Sequence, residues 1–306
     1  MSRVLNSVGM FLKWIFIGMI TVSLQSVHGQ QSQIRDEMVH SEVTGTDRIV
    51  HVYLPASYEK EESRRYPVLY VQDGQNIFST AGTNAAFGWG SWQLDKTADN
   101  LARAGKMPEI IIVAVDNSPA RMKEYSGHET AFEKYADFLL TELKPKIDRE
   151  YRTRPGPAST GVMGSSLGGI CSLALAWEHP EVFERTASLS GSFQVDHTNF
   201  LNEVLHNFHS KPKPFRVYLD SGAVDFTGGD DNRALTAEVA AELRRIGWGK
   251  DLMLYVDEKP LSPETLATTG LRRDKWNEAR TSQHNEFYWR LRAWRALSFL
   301  FPPDEK

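Results

Sequence analysis

Residues 160–178 read TGVMGSSLGGICSLALAWE, an apolar run, a glycine-rich turn and a second apolar run. The first run predicts a buried strand and the second a helix. Gly164 and Gly168 lie two positions before and after Ser166, and in this context G-x-S-x-G is a nucleophile elbow, a sharp turn that exposes a serine hydroxyl. We therefore predict Ser166 as a nucleophile and the N–H of Leu167 as an oxyanion donor. The alternative is a tight strand–helix contact without chemistry.

Composition sets the broad class of the protein. With 306 residues, the chain is long enough for one large core. Hydrophobic residues make up 41% and charged residues 24%, which is ordinary for a globular protein, and the net charge of −4 gives no electrostatic reason to expect a nucleic-acid partner. Cys171 is the single cysteine, so no intrachain disulfide can form. The Cys and His spacings match no metal motif, so we expect no metal and no cofactor.

The first 29 residues predict an export signal. Arg3 and Lys13 precede an apolar run at 14–24, and the small residues Val27 and Gly29 fit the −3 and −1 positions of a cleavage site. The run is short for a membrane span, although an uncleaved anchor is the alternative. We expect cleavage after Gly29, a secreted or periplasmic protein without a stable membrane span, and one catalytic domain over 30–306.

Strand-like and helical patterns alternate along the rest of the chain. This alternation predicts an α/β fold with a mostly parallel central sheet and helices on both faces. The predicted strands are 47–55, 66–71, 109–116, the run ending at 163, 182–189, 215–220 and 252–256. The main predicted helices are 92–104, 131–151, the segment after the elbow, 196–209, 234–246 and 286–300.

A serine hydroxyl needs a base, and the base needs an acid to hold its tautomer. Among the histidines after Ser166, only His284 follows the last predicted strand, in the loop before the final helix, so it is the predicted base. The loop after strand 215–220 offers several acids. Asp225 is favoured because the loop could carry it toward His284. The other candidates could instead end the strand, shape the loop or cap a helix, and they are Asp220, Asp230 and Asp231.

The loop after strand 66–71 supplies the second expected oxyanion donor. In this type of site one N–H comes from the residue after the nucleophile and another from this loop, and Gln75 is our choice for it. Asp73-Gly74 could also be a simple turn. Aromatic side chains near the predicted site could stack on a sugar or phenolic ring, although core packing is the alternative for several of them: Trp89, Trp92, Tyr125 and Phe226.

Five stretches together resemble a known family. They are YPVLYVQDGQNIF at 66–78, residues 92–116, GSSLGG at 164–169, YLDSGAVD at 218–225 and HNEFYW at 284–289. In this order they resemble the esterase group of α/β-hydrolases that includes feruloyl and acetylxylan esterases, enterobactin esterases and mycolyltransferases. Many members have His-Gly where this chain has Asp73-Gly74, so the side chain at that position is not needed for the oxyanion hole.

The resemblance implies an α/β-hydrolase fold and a serine esterase. It implies Ser166 as nucleophile, His284 as base, Asp225 as acid and Gln75 as oxyanion donor. Together with export, it favours a small-molecule or oligosaccharide ester as substrate, such as a feruloyl or acetyl ester of a carbohydrate. The alternatives are a siderophore esterase or acyltransferase with the same triad, and a non-catalytic carbohydrate-binding protein on the same fold.

Overall fold

The computed structural model describes residues 31–303, so the predicted signal segment 1–29 and its cleavage site lie outside the described residues. Most of the strands form where β-branched and aromatic residues cluster in short runs. They are β1 Gln33–Ser41, β2 Thr46–Leu54, β3 Val68–Gln72, β4 Ile111–Val115, β5 Thr160–Ser165, β6 Arg185–Leu189, β7 Arg216–Gly222 and β8 Leu252–Asp257.

These strands form one eight-stranded sheet in the order β1-β2-β4-β3-β5-β6-β7-β8. The first two pairings, β1 with β2 and β2 with β4, are antiparallel, and all later ones are parallel. The predicted mostly parallel sheet is therefore confirmed. Strand β1 was not predicted, because its sequence QIRDEMVHS is too charged to suggest a strand.

The helices connect the strands and cover both faces of the sheet. The helical segments are α1 Ala85–Gly88, α2 Leu94–Arg103, α3 Arg121–Glu124, α4 Thr130–Asp137, α5 Lys144–Glu150, α6 Leu167–Glu178, α7 Val195–Asn199, α8 Arg233–Ile246, α9 Pro263–Leu266, α10 Trp276–Thr281 and α11 Glu286–Leu300. The interior residues of α1 and α7 have left-handed dihedral angles, so these two segments are single turns rather than regular α-helices. Short 3-10 turns lie at Gly74–Asn76, Ser79–Ala81, Pro157–Ser159 and Arg273–Lys275, and π-helical segments at Phe138–Leu143 and Phe200–Leu205.

Side chains on the central strands alternate between two hydrophobic layers. On β3, Val68 and Tyr70 enter one layer, whereas Leu69 and Val71 enter the other. The first layer packs against α4, α5, α6 and α8, and the second against α2 and α11. Because both faces are covered, the open edge at the carboxyl ends of the strands is where a ligand can reach the sheet.

The turn between β5 and α6 has the expected elbow conformation. Ser166 has φ 53° and ψ −124°, a backbone region that non-glycine residues rarely adopt. A side chain at Gly164 would place its Cβ 2.4 Å from the carbonyl oxygen of Gly168. Strand and helix can therefore approach this closely only because residue 164 is glycine. Helix α6 is almost entirely buried, including Cys171, where burial raises the pKa of the thiol well above its ordinary value.

Within residues 31–303, no helix is both long enough and apolar enough to cross a bilayer.

We predict that Gly164→Ala destabilises the protein, because the added methyl collides with the backbone of α6 rather than with a flexible side chain. Overpacking of this kind costs about 1–3 kcal/mol, which corresponds to a fall in Tm of several degrees, on the order of 2–4 °C per kcal/mol at this size. Differential scanning calorimetry measures it. Gly156→Ala is the matched control, because its Cβ would meet nothing within 4 Å. Equal melting temperatures for the two variants would contradict the close-contact explanation.

Candidate active site

Ser166 and His284 meet at the carboxyl edge of the sheet. His284 lies in the loop before α11, and its Nε2 is 3.0 Å from the Ser166 Oγ. A second hydroxyl, that of Ser192, lies 3.1 Å from the same Oγ, and the Ser192 N–H donates to the Ser166 carbonyl at 3.0 Å. If Ser166 donates its proton to His284, the Ser192 hydroxyl donates to the Ser166 Oγ. This geometry allows His284 to accept the serine proton, as a general base must.

The other ring nitrogen of His284 contacts Asp231. The Nδ1 lies 2.6 Å from the Asp231 Oδ1. The second oxygen of this carboxylate accepts from the Ser190 hydroxyl and from the Gly222 N–H, each at 2.6 Å. The Asp231 side chain is fully buried. A carboxylate fixed by these donors holds the proton of His284 on Nδ1 and leaves Nε2 free to face the serine.

The expected contact between Asp225 and His284 is therefore wrong. The Asp225 side chain turns back into its own loop, where one oxygen accepts from the Thr227 N–H and hydroxyl at 2.7 Å and from the Gly229 N–H at 2.9 Å. Partial burial alone would raise the pKa of Asp225, but these hydrogen bonds outweigh it, so the pKa is lowered. Asp231 lies further along this loop, which returns to the sheet edge before α8 begins.

A buried arginine lies behind Asp231. The Arg292 Nη2 donates to the Ser190 hydroxyl at 2.7 Å, and its Nε lies 3.3 Å from the Asp220 Oδ2. Burial raises the pKa of Asp220 to about 6, although Arg292 and the Tyr218 hydroxyl oppose that rise. A series of contacts therefore runs from Asp220 through Arg292 and Ser190 to Asp231. This hydrogen-bonded network fixes the orientation of the Asp231 carboxylate, which contacts His284.

The predicted oxyanion donors lie on neighbouring segments. Leu167 is the first residue of α6, and Gln75 is in the 3-10 turn that follows β3. A Cβ at Gly168 would come within 2.9 Å of the Gln72 Cβ, so α6 begins against the end of β3, directly before that turn. Among residues 31–303, the N–H groups of Leu167 and Gln75 have no acceptor, and they remain our predicted donors.

Asp73 does not act as a free charge beside these donors. Arg121 binds it through two bonds, Nε to Oδ1 at 2.6 Å and Nη2 to Oδ2 at 2.7 Å, and the Asn117 amide adds a third at 2.6 Å. Neutralisation matters here, because an unpaired carboxylate would oppose a negative charge forming nearby. The Asp73–Arg121 ion pair also connects the turn after β3 to the segment that follows β4.

The predicted aromatic contacts divide into two groups. Trp92 and Tyr125 are buried, Trp92 against Trp289 and Tyr125 against Tyr135, so the expectation that they bind substrate is wrong. Phe226 is 76% exposed and lies edge-on to the His284 ring, with the ring centres 6.0 Å apart. Trp89 is half-buried at the edge of a small cavity and stays a predicted contact.

Glu286 is a largely buried acid close to the site. It is the first residue of α11, and the Asn76 side-chain amide donates to its carboxylate at 3.2 Å. Burial raises the pKa of Glu286 to about 7, with Asp73 adding to the rise and Arg121 opposing it. Since Asn76 follows Gln75, Glu286 anchors the turn that carries the predicted oxyanion donor. Residues 31–303 contain no cluster of His, Cys, Asp and Glu that could hold a metal ion.

Solved structures share this fold. A ferulic acid esterase superposes with a TM-score of 0.66 at 19% identity, covering 89% of this chain and 98% of that one. The enterobactin esterase FES of Shigella flexneri, solved in the presence of enterobactin, superposes with a TM-score of 0.65 at 18% identity. The superposition covers 88% of this chain and 58% of the FES chain. The architecture is thus the α/β-hydrolase fold of these esterases.

Sequence comparison identifies the family. The family model described as "Putative esterase" matches residues 41–252, and the chain belongs to that family. YbbA of Bacillus subtilis, described as an uncharacterized protein, is 24% identical over 238 residues, which cover 72% of this chain and 87% of YbbA. An endo-1,4-beta-xylanase/feruloyl esterase of Xylanibacter ruminicola is 30% identical over 171 residues, 54% of this chain but 22% of that protein. The protein is an esterase, a carboxylic ester hydrolase.

We predict that Glu286→Gln makes the protein more stable at pH 8 than the wild type and leaves stability at pH 4.5 nearly unchanged. The folded pKa of about 7 exceeds the ordinary 4.5, so the native state loses stability as pH rises from 4.5 through 7. Glutamine cannot ionise, and its carbonyl can still accept from Asn76. Urea unfolding at both pH values measures the effect, with the exposed Glu203→Gln as control. If Glu286→Gln raises the free energy of unfolding no more at pH 8 than at pH 4.5, the raised pKa of Glu286 is contradicted.

Proposed function

We propose that the protein is an exported serine esterase in which Ser166, His284 and Asp231 form the catalytic triad. The observation that carries this proposal is the unbroken series of contacts from the Ser166 Oγ through both nitrogens of His284 to Asp231, at 3.0 and 2.6 Å. The family membership gives the reaction class, and the strained elbow supplies a partly buried nucleophile whose hydroxyl faces His284.

The proposed reaction has two steps. His284 removes the Ser166 proton as the Oγ attacks the ester carbonyl, and the N–H groups of Leu167 and Gln75 stabilise the oxyanion. His284 then gives its proton to the departing alcohol, leaving an acyl-serine. In the second step His284 takes a proton from water, the hydroxide attacks the acyl group, and the serine oxygen leaves with that proton as the acid is released. Asp231 holds the imidazolium that forms in each step.

The proposed substrates are feruloyl or acetyl esters of carbohydrates. The relative from Xylanibacter ruminicola is named as a feruloyl esterase, and the exposed Phe226 ring beside His284 offers an aromatic surface next to the reacting atoms. Export through the segment 1–29, to the periplasm or outside the cell, would bring the enzyme to such polymers. A siderophore ester is the second candidate, because an enterobactin esterase shares the fold. Hydrolysis of methyl ferulate, acetylated xylo-oligosaccharides and a triserine trilactone, followed by chromatography, distinguishes these substrates.

We predict that Asp231→Asn lowers kcat by roughly a thousandfold or more, because asparagine cannot hold the imidazolium and favours the wrong tautomer. Asp225→Asn is the matched control: the same change on the same loop, at a carboxylate that does not contact His284, should leave kcat within about threefold. The release of 4-nitrophenol from 4-nitrophenyl acetate measures both rates, with Ser166→Ala as the background. Loss of activity in Asp225→Asn with Asp231→Asn still active would reverse the assignment.

A further inference from the structure

The small cavity that Trp89 borders has a volume of about 20 Å³ and lies beside the start of α11. Its wall includes the glycines at 88, 90 and 270, the Trp89 ring, and the guanidinium groups of Arg272 and Arg290. The volume holds roughly one water-sized group, which is enough for the oxygen of a carboxylate but not for a sugar ring.

Arg290 has no counter-ion in this cavity. Among residues 31–303, no acid pairs with its guanidinium, and burial alone accounts for the lowering of its pKa. Its closest described interaction is with the Phe287 ring, 5.1 Å from the guanidinium carbon. Glu286, one turn earlier on α11, contacts Asn76 instead. A half-buried cation without a partner is partly desolvated, and a bound anion would offset that cost.

The second arginine of the cavity is already paired. Arg272 binds Asp274 through two bonds, at 3.0 and 2.9 Å, and donates to the Asn84 side chain at 2.7 Å. Lys275 lies 5.0 Å from the centre of the Trp89 ring and is also paired, with Glu278 at 3.1 Å. Of the two arginines that line the cavity, Arg290 is therefore the one without an ionic partner among residues 31–303.

The cavity is close to the proposed oxyanion hole. Arg290 is one helical turn beyond Glu286, a rise of about 6 Å along α11, and Glu286 contacts Asn76, the neighbour of Gln75. The segment that carries Trp89 and Gly90 returns to the same turn, where the Trp92 N–H donates to the Asn76 carbonyl at 2.9 Å. A group bound at Arg290 can therefore belong to the molecule whose ester lies at Ser166.

We propose that Arg290 binds a carboxylate of the ester substrate, on the part of the molecule away from the scissile bond. This inference rests on the proposed function of Ser166 and adds a substrate class, anionic esters. A guanidinium N–H donates a charge-assisted hydrogen bond to the one carboxylate oxygen that the cavity can hold, and such a bond is roughly twice as strong as one between neutral groups.

The kinetic test uses matched esters that differ only in charge. One series is the mono-4-nitrophenyl esters of dicarboxylic acids from succinate to sebacate, and the other is acetate esters of hydroxyphenyl-alkanoic acids; in each, the neutral partner carries a primary amide in place of the free carboxylate. We expect kcat/KM for at least one anionic ester to exceed that of its amide by on the order of tenfold. Arg290→Gln removes this preference and leaves the amides unchanged, and Arg290→Lys retains part of it.

Arg295→Gln is the matched control variant. Arg295 lies on the same helix, but its guanidinium stacks on Tyr255 and Trp294, away from the cavity, so the preference should be unchanged. A preference that survives in Arg290→Gln, or that disappears equally in Arg295→Gln, overturns the proposal. The amide rates show whether each variant is folded.

A binding measurement separates this proposal from the proposed function. Calorimetry with the Ser166→Ala protein, which needs no turnover, measures the affinity for adipate, sebacate and 4-hydroxyphenylacetate, with and without Arg290→Gln. If no ester is hydrolysed, the triad proposal fails, but binding that is lost with Arg290 and weakened by salt still supports the anion site. Equal affinity for these anions with and without Arg290→Gln overturns the anion site. The site is also overturned if no anion binds and the esters show no preference for the free carboxylate.

Discussion

The close approach of α6 to β5 at Gly164 is the constraint on which the site depends. It forces Ser166 into a conformation that costs about 1–3 kcal/mol, so the surrounding structure must hold the turn. Two backbone bonds do this, from the Ser166 N–H to Leu189 and from the Ser192 N–H to Ser166, each 3.0 Å. Positive φ angles recur at the same edge of the sheet, at Asp73, Ser190 and Asn232. Four residues with positive φ, Ser166 included, therefore lie at the edge of the sheet where the proposed chemistry occurs.

Burial of charge is the second organising feature. Asp231 is fully buried yet accepts bonds from a hydroxyl, a backbone N–H and an imidazole, so its desolvation is offset by fixed donors. Arg292 lies behind it, pairs with the buried Asp220 and reaches Asp231 through the Ser190 hydroxyl. Such a network keeps the imidazole of His284 in one orientation without help from solvent. Asp225, which is only partly buried and bonds to its own loop, could not provide this rigidity.

The sequence predicted the parts of the structure that depend on local pattern. The elbow, the parallel strands, the last helix and the meeting of Ser166 with His284 follow from periodicity, glycine spacing and chain order. Asp231 was missed because its contact depends on the path of a loop, which local pattern does not determine. One signal was available: the run Asp225-Phe226-Thr227-Gly228-Gly229 is typical of an aspartate that bonds its own turn. Burial of Trp92 and Tyr125 depends on distant elements, so aromatic type alone could not distinguish core from surface.

The enclosed position of Cys171 makes the molecule convenient for site-directed spectroscopy. It is the sole thiol of the chain, it is fully buried in α6, and its raised pKa leaves little reactive thiolate at neutral pH. A cysteine introduced on the Phe226 loop would therefore react selectively with a maleimide fluorophore or spin label, without prior removal of the native residue. The movement of that loop relative to the rigid sheet could then be followed in an otherwise unaltered protein.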